Sequence, residues 1–346
     1  MKVLILGVNG FIGSHLVHRI LGDTPWEVFG MDLGSDRLGA CLASPRFHFL
    51  EGDISISREW IEYHIKKCDV CLPLVAIATP AAYVRDPLGV FSLDFEENLR
   101  IVRQCAKFET RVIFPSTSEV YGMCPDEAFS EEKSPLVYGP ISKQRWIYAC
   151  AKQLLDRVIW AMGIHEGLQF TLIRPFNWIG PALDNVHTAK EGSSRVVTQF
   201  LGHILRGEPI QLVDGGRQRR TFTYIDDGIE VLMRILANPG GRADGKIFNI
   251  GNPENDLSIR ELAELMLEIY FEITGKKPVG AELRDISHES YYGEGYEDMT
   301  RRVPDVTLAR TLLGWEPRFS AREALRRTIS HYVGQSSEGS SGDLTA

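Results

Sequence analysis

The chain lacks the features that mark membrane, nucleic-acid-binding and disulfide-rich proteins. Its 346 residues contain six cysteines, too few for a disulfide framework in a chain of this length. No apolar run reaches the roughly 20 residues needed to cross a bilayer, and the short run at the N-terminus leads into a glycine loop instead of a cleavage site. The net charge of −8 argues against a basic surface for nucleic acid. These absences predict a cytoplasmic globular protein that binds neither membranes nor nucleic acids.

Two of the cysteines, Cys68 and Cys71, form a C-x-x-C pair of the kind found in redox centres and zinc sites. The second pair of ligands that a zinc site needs is missing. The surrounding sequence, KCDVCL, is typical of the entry to a buried strand. We therefore expect two buried thiols and no metal site.

Short apolar runs alternate with helical patterns in the first half of the chain. Strands are predicted at residues 3–6, 27–31, 47–51, 70–75, 112–114 and 168–174, and helices at residues 11–21, 91–108 and 146–162. Near-continuous apolar strands that alternate with helices favour a parallel sheet covered on both faces. The predicted fold class is therefore α/β, with a Rossmann-type doubly wound sheet.

A glycine-rich loop follows the first predicted strand and opens the first helix. Its sequence, ILGVNGFIGSHL, contains three suitably spaced glycines, Gly7, Gly10 and Gly13. Glycine permits the tight turn and lets the backbone approach a pyrophosphate, which then faces the helix N-terminus. Asp32, at the end of the next strand, would accept hydrogen bonds from ribose hydroxyls and repel a 2′-phosphate. This favours NAD as the cofactor, although the nearby Arg37 keeps NADP open.

Further residues of the same region are assigned to the cofactor site: Asn9, Phe11, Ile12, Asp53 and Ile54. Asp53 ends a predicted strand, where it would either reach the adenine or only cap a turn.

The sequence pattern changes after Pro175, which predicts a second domain. Residues 1–174, with a return segment at about 220–250, are expected to form the NAD-binding domain. Residues 175–219 and 251–333 are expected to form a smaller α/β substrate-binding domain, with helices at 194–205 and at 257–275, the latter capped by Ser258. The Ser/Gly-rich residues 334–346 are predicted to be a disordered tail.

Two further motifs predict oxidation of an alcohol. Tyr148 and Lys152 are four residues apart in a helical segment, so their side chains project from one face. A phenol is a poor base at neutral pH, but a neighbouring ammonium and the positive charge of NAD⁺ both lower its pKa. The phenolate would take the hydroxyl proton while hydride leaves the same carbon for NAD⁺. The second motif, PSTSEVYG, places three hydroxyls and a carboxylate where a predicted strand ends.

The glycine loop, the STSE segment and the Tyr-x-x-x-Lys pair together resemble the extended short-chain dehydrogenase/reductase family that acts on nucleotide sugars. The resemblance covers about residues 1–330. Nucleotide-sugar 4,6-dehydratases carry Thr-Asp-Glu at the STSE position, whereas this chain has Thr-Ser-Glu, as UDP-glucuronic acid decarboxylases do. Several segments are similar to decarboxylase domains of the polymyxin-resistance type: LVAIATP, DFEENLRIV, FPSTSEVYGMC, KQRWIY, RPFNWIGP and IGNPEN.

The resemblance implies that the protein oxidises C4 of UDP-glucuronic acid with NAD⁺. The new ketone lies β to the C6 carboxylate, which then leaves as CO₂, giving a UDP-4-keto-pentose and NADH. A UDP-xylose synthase, in which the hydride returns to the ketone, is the alternative. A 4-epimerase is disfavoured by Glu119, and a non-catalytic NAD(H)-sensing protein by the presence of Thr117, Tyr148 and Lys152.

The resemblance also assigns residues to roles. The catalytic residues would be Thr117, Ser118, Glu119, Tyr148, Lys152 and Arg302. Ser118 and Glu119 would lie beside the substrate carboxylate, unless they only cap a turn. Arg302 would either donate a proton or orient the carboxylate.

The anionic substrate requires local cations, for which the sequence offers Arg145, Arg195, Arg220 and Arg302. By the resemblance, further substrate contacts come from Ala78, Tyr83, Asn177, Gln211 and Tyr296. Gln211 departs from the family, which has a lysine at that position, so a uridine or phosphate contact is in doubt. Helices 91–108 and 146–162 resemble a family dimer interface, which predicts a homodimer.

Overall fold

A computed structural model describes residues 1–186, 194–292 and 297–339. Strands and helices alternate as far as Pro175: β1 (Lys2–Leu6), α1 (Phe11–Asp23), β2 (Glu27–Asp32), β3 (Phe47–Glu51), α2 (Arg58–Lys67), β4 (Val70–Pro73), α3 (Pro80–Arg85), α4 (Pro87–Phe91), α5 (Asn98–Lys107), β5 (Arg111–Pro115), α6 (Ile147–Glu166) and β6 (Phe170–Pro175). The strands predicted in this half are present, as are the helices at 11–21 and 146–162, with their ends shifted by a few residues. The single helix predicted at 91–108 is instead the end of α4, a stretch of π-helix (Ser92–Glu97) and α5.

The second half contains shorter strands: β7 (Trp178–Ile179), α7 (Val196–Arg206), β8 (Ile210–Val213), β9 (Arg219–Thr221), β10 (Thr223–Tyr224), α8 (Ile225–Ala237), β11 (Lys246–Ile250), β12 (Asp256–Ser258), α9 (Ile259–Thr274), β13 (Leu283–Ile286), α10 (His288–Tyr292), β14 (Arg301–Arg302), α11 (Thr307–Leu313) and α12 (Ala321–Gly339). Ser258 forms a reciprocal capping box with Glu261 at the start of α9, as its N-cap assignment predicted.

The main sheet has seven parallel strands in the order β3-β2-β1-β4-β5-β6-β11. The chain leaves β1 toward one edge and returns to β4 on the other side of β1. The loops at the carboxyl ends of these two strands therefore diverge and leave a crevice, which is where doubly wound sheets bind ligands. The predicted Rossmann-type fold is confirmed.

Helices cover both faces of this sheet. Val3 and Ile5 point to a core that includes α1 and α8, whereas Leu4 and Leu6 point to a core that includes α2, α5 and α6. Successive residues of a strand face opposite sides, so a strand buried on both faces must be apolar throughout. This is why the strands read as continuous apolar runs.

Segments after Pro175 contribute both to the main sheet and its helices and to three smaller sheets. Strand β11 returns to the edge of the main sheet beside β6, and α8 packs against α1. The other strands after Pro175 form three small sheets: β7–β10, β8–β13 and β12–β9–β14. In the third, β14 lies parallel to β9 and its register pairs Arg302 with Arg220.

Helix α12 continues through Gly339, so it includes the first residues of the segment predicted to be disordered. Residues 340–346 lie outside the described residues. Within the described ranges, none of the helices combines the length and the apolar character needed to span a bilayer.

The C-x-x-C cysteines are packed inside the protein. Cys68 follows α2, Cys71 lies in β4, and both side chains are buried. Burial raises the pKa of the Cys68 thiol to about 12, which keeps it protonated and unreactive.

Candidate active site

A cleft of about 540 Å³ opens at the carboxyl ends of the central strands of the main sheet. Most residues that the sequence assigned to the site line it: Gly7, Gly10, Phe11, Ile12, Gly13, Ala78, Tyr83, Thr117, Ser118, Glu119, Arg145, Tyr148, Lys152, Asn177, Arg195, Gln211, Arg220 and Arg302. Tyr296 lies outside the described residues, so its assignment stays a prediction.

The glycine loop is built for close approach of backbone to backbone. Gly7 has a φ of +88°, which side-chain-bearing residues rarely adopt. A Cβ on Gly13 would lie 2.8 Å from Cα of Val8 and still closer to the carbonyl oxygen of Gly7. Helix α1 therefore begins directly against the loop, and its N-terminus faces the cleft. This cradle fits the pyrophosphate of a dinucleotide.

The assigned residues Asn9, Asp32, Asp53 and Ile54 lie beside the cleft instead of lining it. Asp32 ends β2, and its Oδ2 accepts a hydrogen bond of 2.8 Å from the backbone N–H of Asn9. Oδ1 of Asp53 accepts from both the backbone N–H and the hydroxyl of Ser55, which lowers the Asp53 pKa. Asp53 therefore caps a turn, and its contact with adenine stays a prediction.

Thr117 and Tyr148 meet where β5 ends and α6 begins. Oγ1 of Thr117 accepts from the backbone N–H of Glu119 at 3.2 Å and so caps the short 3₁₀ turn Ser118–Tyr121. The ring of Tyr148 is buried and stacks on that of Tyr83, with centroids 4.7 Å apart. Burial raises the pKa of Tyr148 well above its ordinary value, as do Asp94 and Glu119, while a hydrogen bond with Thr117 opposes the rise.

Lys152 lies one turn beyond Tyr148 on α6, as the spacing predicted. Its Nζ donates to the carbonyl oxygen of Pro115 at 3.2 Å and lies 3.3 Å from Oδ1 of Asp94. Nζ is also 6.0 Å from the centre of the Tyr148 ring. The ammonium is therefore buried beside the phenol, with a carboxylate partner that the sequence analysis did not assign.

The first hydroxyl of the STSE segment belongs to a polar network below the cleft. The Ser116 hydroxyl donates to Oδ2 of Asp156 at 2.7 Å, and the same oxygen is 3.3 Å from Nη2 of Arg174. All three side chains are buried. Ser116 thus joins the end of β5 to α6 and β6, and it lines the cleft together with the rest of the STSE segment.

Ser118 and Glu119 contact buried arginines, so they do more than cap a turn. Oε2 of Glu119 is 2.7 Å from Nη1 of Arg145, and its Oε1 is 3.5 Å from Nη1 of Arg302. The same Nη1 of Arg302 is 3.4 Å from the Ser118 hydroxyl. Burial raises the pKa of Glu119, but the two arginines outweigh burial and hold that pKa below its usual value.

A second carboxylate, Asp298, completes this arginine cluster. Its Oδ1 is 2.6 Å from Nη2 of Arg220 and 3.9 Å from Nη2 of Arg145. The β9–β14 register brings Arg302 alongside Arg220. Burial and the nearby Arg220 lower the pKa of Arg302 to about 10. Arg302 lines the cleft, and its buried Nε has no hydrogen-bond partner among the described residues.

Two other assigned residues sit farther along the cleft. Asn177 follows β6 with a φ of +39°, which asparagine tolerates better than most residues, and its Nδ2 donates to the carbonyl oxygen of Thr221. Nη2 of Arg195 pairs with Asp184 at 2.7 Å, and the guanidinium lies over the ring of Phe11.

Sequence reasoning missed Asp94 and Asp298. Asp94 lies in a helical pattern with two further acids, Glu96 and Glu97, so the sequence did not single it out. Asp298 precedes the basic run at Arg301 and Arg302 in EDMTRR, and an acid this close to assigned arginines was a usable clue.

The cradle, the acid at the end of β2 and the Tyr-Lys pair define a dinucleotide-dependent oxidoreductase of the α/β class. A family described as the NAD dependent epimerase/dehydratase family matches residues 3–251, and the chain belongs to it. NAD is accordingly its cofactor.

Solved structures agree with this assignment. The chain is 58% identical to the PbgP3 protein from Burkholderia pseudomallei, with a TM-score of 0.88 over 97% of each chain. It shares the fold of DesIV, a dTDP-glucose 4,6-dehydratase from Streptomyces venezuelae solved with NAD bound, at 24% identity and a TM-score of 0.82 over 98% of each chain. It also shares the fold of a UDP-glucuronic acid 4-epimerase from Bacillus cereus in complex with UDP-glucuronic acid and NAD, at 22% identity and a TM-score of 0.79 over 97% of this chain and all of that one.

Proposed function

We propose that the protein is a UDP-glucuronic acid decarboxylase that produces a UDP-4-keto-pentose, CO₂ and NADH. The observation that carries the proposal is the buried cluster beside Thr117 and Tyr148. There, Ser118 and Glu119 meet Arg302, whose Nε has no partner among the described residues. An oxidation site at Thr117 and Tyr148 next to an arginine cluster that can bind an anion fits a sugar with a carboxyl group beside the oxidised carbon.

In the first step, the hydroxyls of Thr117 and Tyr148 hold O4 of the sugar. Tyr148 takes the O4 proton, and Lys152, buried beside it, stabilises the phenolate that performs this transfer. When bound, NAD⁺ supplies the hydride acceptor for the C4 oxidation. The product of this step is a β-keto acid.

In the second step, the bond between C5 and C6 breaks and CO₂ leaves. The electron pair moves into the C4 carbonyl, so negative charge develops on O4 and the hydroxyls of Thr117 and Tyr148 stabilise it. C5 then gains a proton and the ketone forms again. In this proposal Arg302 either orients the carboxylate or donates the proton at C5, and its lowered pKa, about 10, supports the second role.

The charge of the cluster also favours an anionic substrate. Three guanidinium groups, of Arg145, Arg220 and Arg302, meet two carboxylates, of Glu119 and Asp298, in the described part of the cluster. A carboxylate of the substrate would add charge-assisted hydrogen bonds to these guanidinium groups. A neutral hexose offers no such charge.

The test is to incubate the pure protein with UDP-glucuronic acid labelled at C6 and with NAD⁺, following labelled CO₂ and NADH absorbance together. We expect equal amounts of both, and little turnover of UDP-glucose, which lacks the carboxylate. CO₂ without accumulating NADH would indicate internal return of the hydride, as in a UDP-xylose synthase. Epimerised UDP-glucuronic acid without CO₂ would contradict the proposal, as would NAD⁺ binding without turnover.

Tyr148→Phe is the decisive variant, with Tyr63→Phe as its matched control. Tyr63 is an exposed tyrosine of α2 outside the cleft. We expect CO₂ release to fall by about 10²-fold or more in the first variant, the usual contribution of a general base, and to stay unchanged in the second. A folded Tyr148→Phe protein with full CO₂ release would refute the mechanism.

We also propose a homodimer formed through α5 and α6. The ring of Phe91, at the end of α4, stacks on that of Phe95 with centroids 5.4 Å apart, and both side chains are half-buried, as is Leu99. Sedimentation velocity of the protein and of Leu99→Glu tests this. We expect the wild type to sediment as a dimer and Leu99→Glu to dissociate more readily. A monomeric wild-type protein would contradict the proposal.

A further inference from the structure

Asp94 is a wholly buried carboxylate in a stretch of π-helix, Ser92–Glu97, that joins α4 to α5. A π-helical turn adds a residue to the helical repeat and so changes which side chains face inward, and such turns are frequent at functional sites. A buried carboxylate must have compensating partners. One partner of Asp94, Lys152, lines the cleft, and the other, the backbone N–H of Ile77, directly precedes a residue that does.

Asp94 connects the loop after β4 to the ammonium of Lys152. Its Oδ2 accepts from the backbone N–H of Ile77 at 3.0 Å, and the next residue, Ala78, lines the cleft. Its Oδ1 lies 3.3 Å from Nζ of Lys152, whose side chain is 1% exposed. The carbonyl oxygen of Pro115 accepts from the same Nζ. The ammonium is therefore fixed between the end of β5 and the π-helix.

The charges around Tyr148 and Lys152 come from several elements. The facing charged and titratable groups are Asp94 from the π-helix, Tyr83 from α3, Glu119 after β5, Asp156 from α6 and Arg302 from β14. Burial raises the pKa of Tyr148 most, and Asp94 adds more to that rise than Glu119 does. Asp94 thus cancels part of the effect by which Lys152 favours the phenolate.

We propose that Asp94 is a positioning residue that, through Lys152, makes the site favour the oxidised cofactor over the reduced one. Asp94 also opposes ionisation of Tyr148 before the oxidised form is bound. The proposal rests on the roles of Tyr148 and Lys152 in the proposed function. Its electrostatic basis is that the ion pair of Asp94 and Lys152 has a net charge close to zero. The pair therefore does not repel the positively charged nicotinamide, as an unpaired ammonium would. The neutral reduced form gains nothing from the pair, so its release is favoured.

The first test measures the dissociation constants of NAD⁺ and NADH by calorimetry, without any sugar. We expect the ratio Kd(NAD⁺)/Kd(NADH) to rise about tenfold in Asp94→Asn, the size of a coupling of about one pKa unit. Glu96→Gln is the matched control, because Glu96 lies in the same π-helix but is exposed. The ratio should not change in it. If both constants shift by the same factor in Asp94→Asn, Asp94 only supports packing and the proposal is wrong.

Lys152→Met keeps the test decisive if Asp94→Asn does not fold. It removes the cation and leaves the carboxylate, so the ratio should fall instead of rise. A loss of packing would not move the ratio in opposite directions in the two variants. An unchanged or increased ratio in folded Lys152→Met overturns the proposal.

The second test is the pH dependence of kcat/KM for CO₂ release. Because Asp94 raises the pKa of Tyr148, Asp94→Asn should move the acid limb to lower pH by about one unit. A lower rate with an unmoved limb would overturn this part.

The two tests also separate the proposals. A shifted cofactor ratio without CO₂ release refutes only the proposed function, whereas CO₂ release with an unshifted ratio refutes only the role of Asp94.

Discussion

The contact between Gly13 and the glycine loop allows a sharp test of how the cofactor cradle is built. A Cβ at Gly13 would lie 2.8 Å from both the Cα and the carbonyl oxygen of Val8, and it would also overlap the carbonyl oxygen of Gly7. These are backbone atoms, which cannot rotate away as a side chain does. In Gly13→Ala, either helix α1 or the loop must therefore move by about 1 Å to bring the closest of these contacts to an ordinary distance.

The magnitude follows from the cost of overpacking, which is about 1–3 kcal/mol. We expect Gly13→Ala to lose about 2–3 kcal/mol of unfolding free energy, because backbone opposes the new methyl group on more than one side. The same displacement moves the N–H groups that face the pyrophosphate. A loss of about 1.4 kcal/mol in binding corresponds to tenfold weaker affinity, so we expect NAD⁺ to bind at least about tenfold more weakly.

Gly22 provides the matched control within the same helix. No heavy atom lies within 4 Å of the position where its Cβ would be, and it lies at the exposed end of α1. Gly22→Ala should therefore stabilise the protein by about 0.5 kcal/mol through helix propensity and leave NAD⁺ binding unchanged.

Urea denaturation and calorimetric titration with NAD⁺ measure both effects on the two variants. The reasoning is refuted if Gly13→Ala unfolds at the wild-type urea concentration and binds NAD⁺ with wild-type affinity. It also fails if Gly22→Ala weakens NAD⁺ binding as much as Gly13→Ala does, because the effect would then not depend on the close contact.

Three further predictions concern the buried charges. Arg145 and Arg302 hold the pKa of Glu119 below its usual value of 4.5 despite burial. The ionised Glu119 therefore stabilises the fold above that pH, and this stabilisation is lost as the pH falls through the lowered pKa. The difference in unfolding free energy between the wild type and Glu119→Gln, measured by urea denaturation, should shrink on acidification. Arg174→Met leaves Asp156 without its ion-pair partner and should cost about 3–5 kcal/mol in unfolding free energy, whereas loss of an exposed arginine of α6, Arg157→Met, should be nearly neutral. Arg302→Met should abolish CO₂ release but change thermal stability little, because Glu119 keeps its closer ion pair with Arg145, and a large drop in stability would contradict this.

The sequence was sufficient for the parts of the site that depend on local pattern. Apolar runs between helices predicted the parallel sheet, and the spacing of Tyr148 and Lys152 placed both side chains on one helix face. The glycine loop needed no tertiary information either, because its function lies in backbone conformation and in the start of a helix.

The remaining parts depend on long-range register, which local pattern does not contain. Strands β9 and β14 have three and two residues, too few to show a period, yet their pairing sets Arg220 beside Arg302. Asp94 faces inward because of the π-helical turn, whereas the sequence predicted one continuous helix at residues 91–108. The role of Ser116 is likewise set by Asp156 on α6, a partner that strand-end chemistry does not identify.

The arginine cluster is more readily explained by function than by stability. Buried ion pairs are often no more stable than apolar residues of the same volume, because removing charges from water offsets their attraction. Arg302 illustrates the cost: its Nε is buried without a partner in the described part of the protein, and burial and Arg220 both lower its pKa. An unsatisfied buried donor costs about 1–3 kcal/mol, which an apolar side chain would avoid. A protein with a net charge of −8 nevertheless keeps this cation in its cleft. Under the proposed function, a bound anion offsets this cost, so the same feature that makes Arg302 costly in the free protein would favour a substrate that carries a carboxylate.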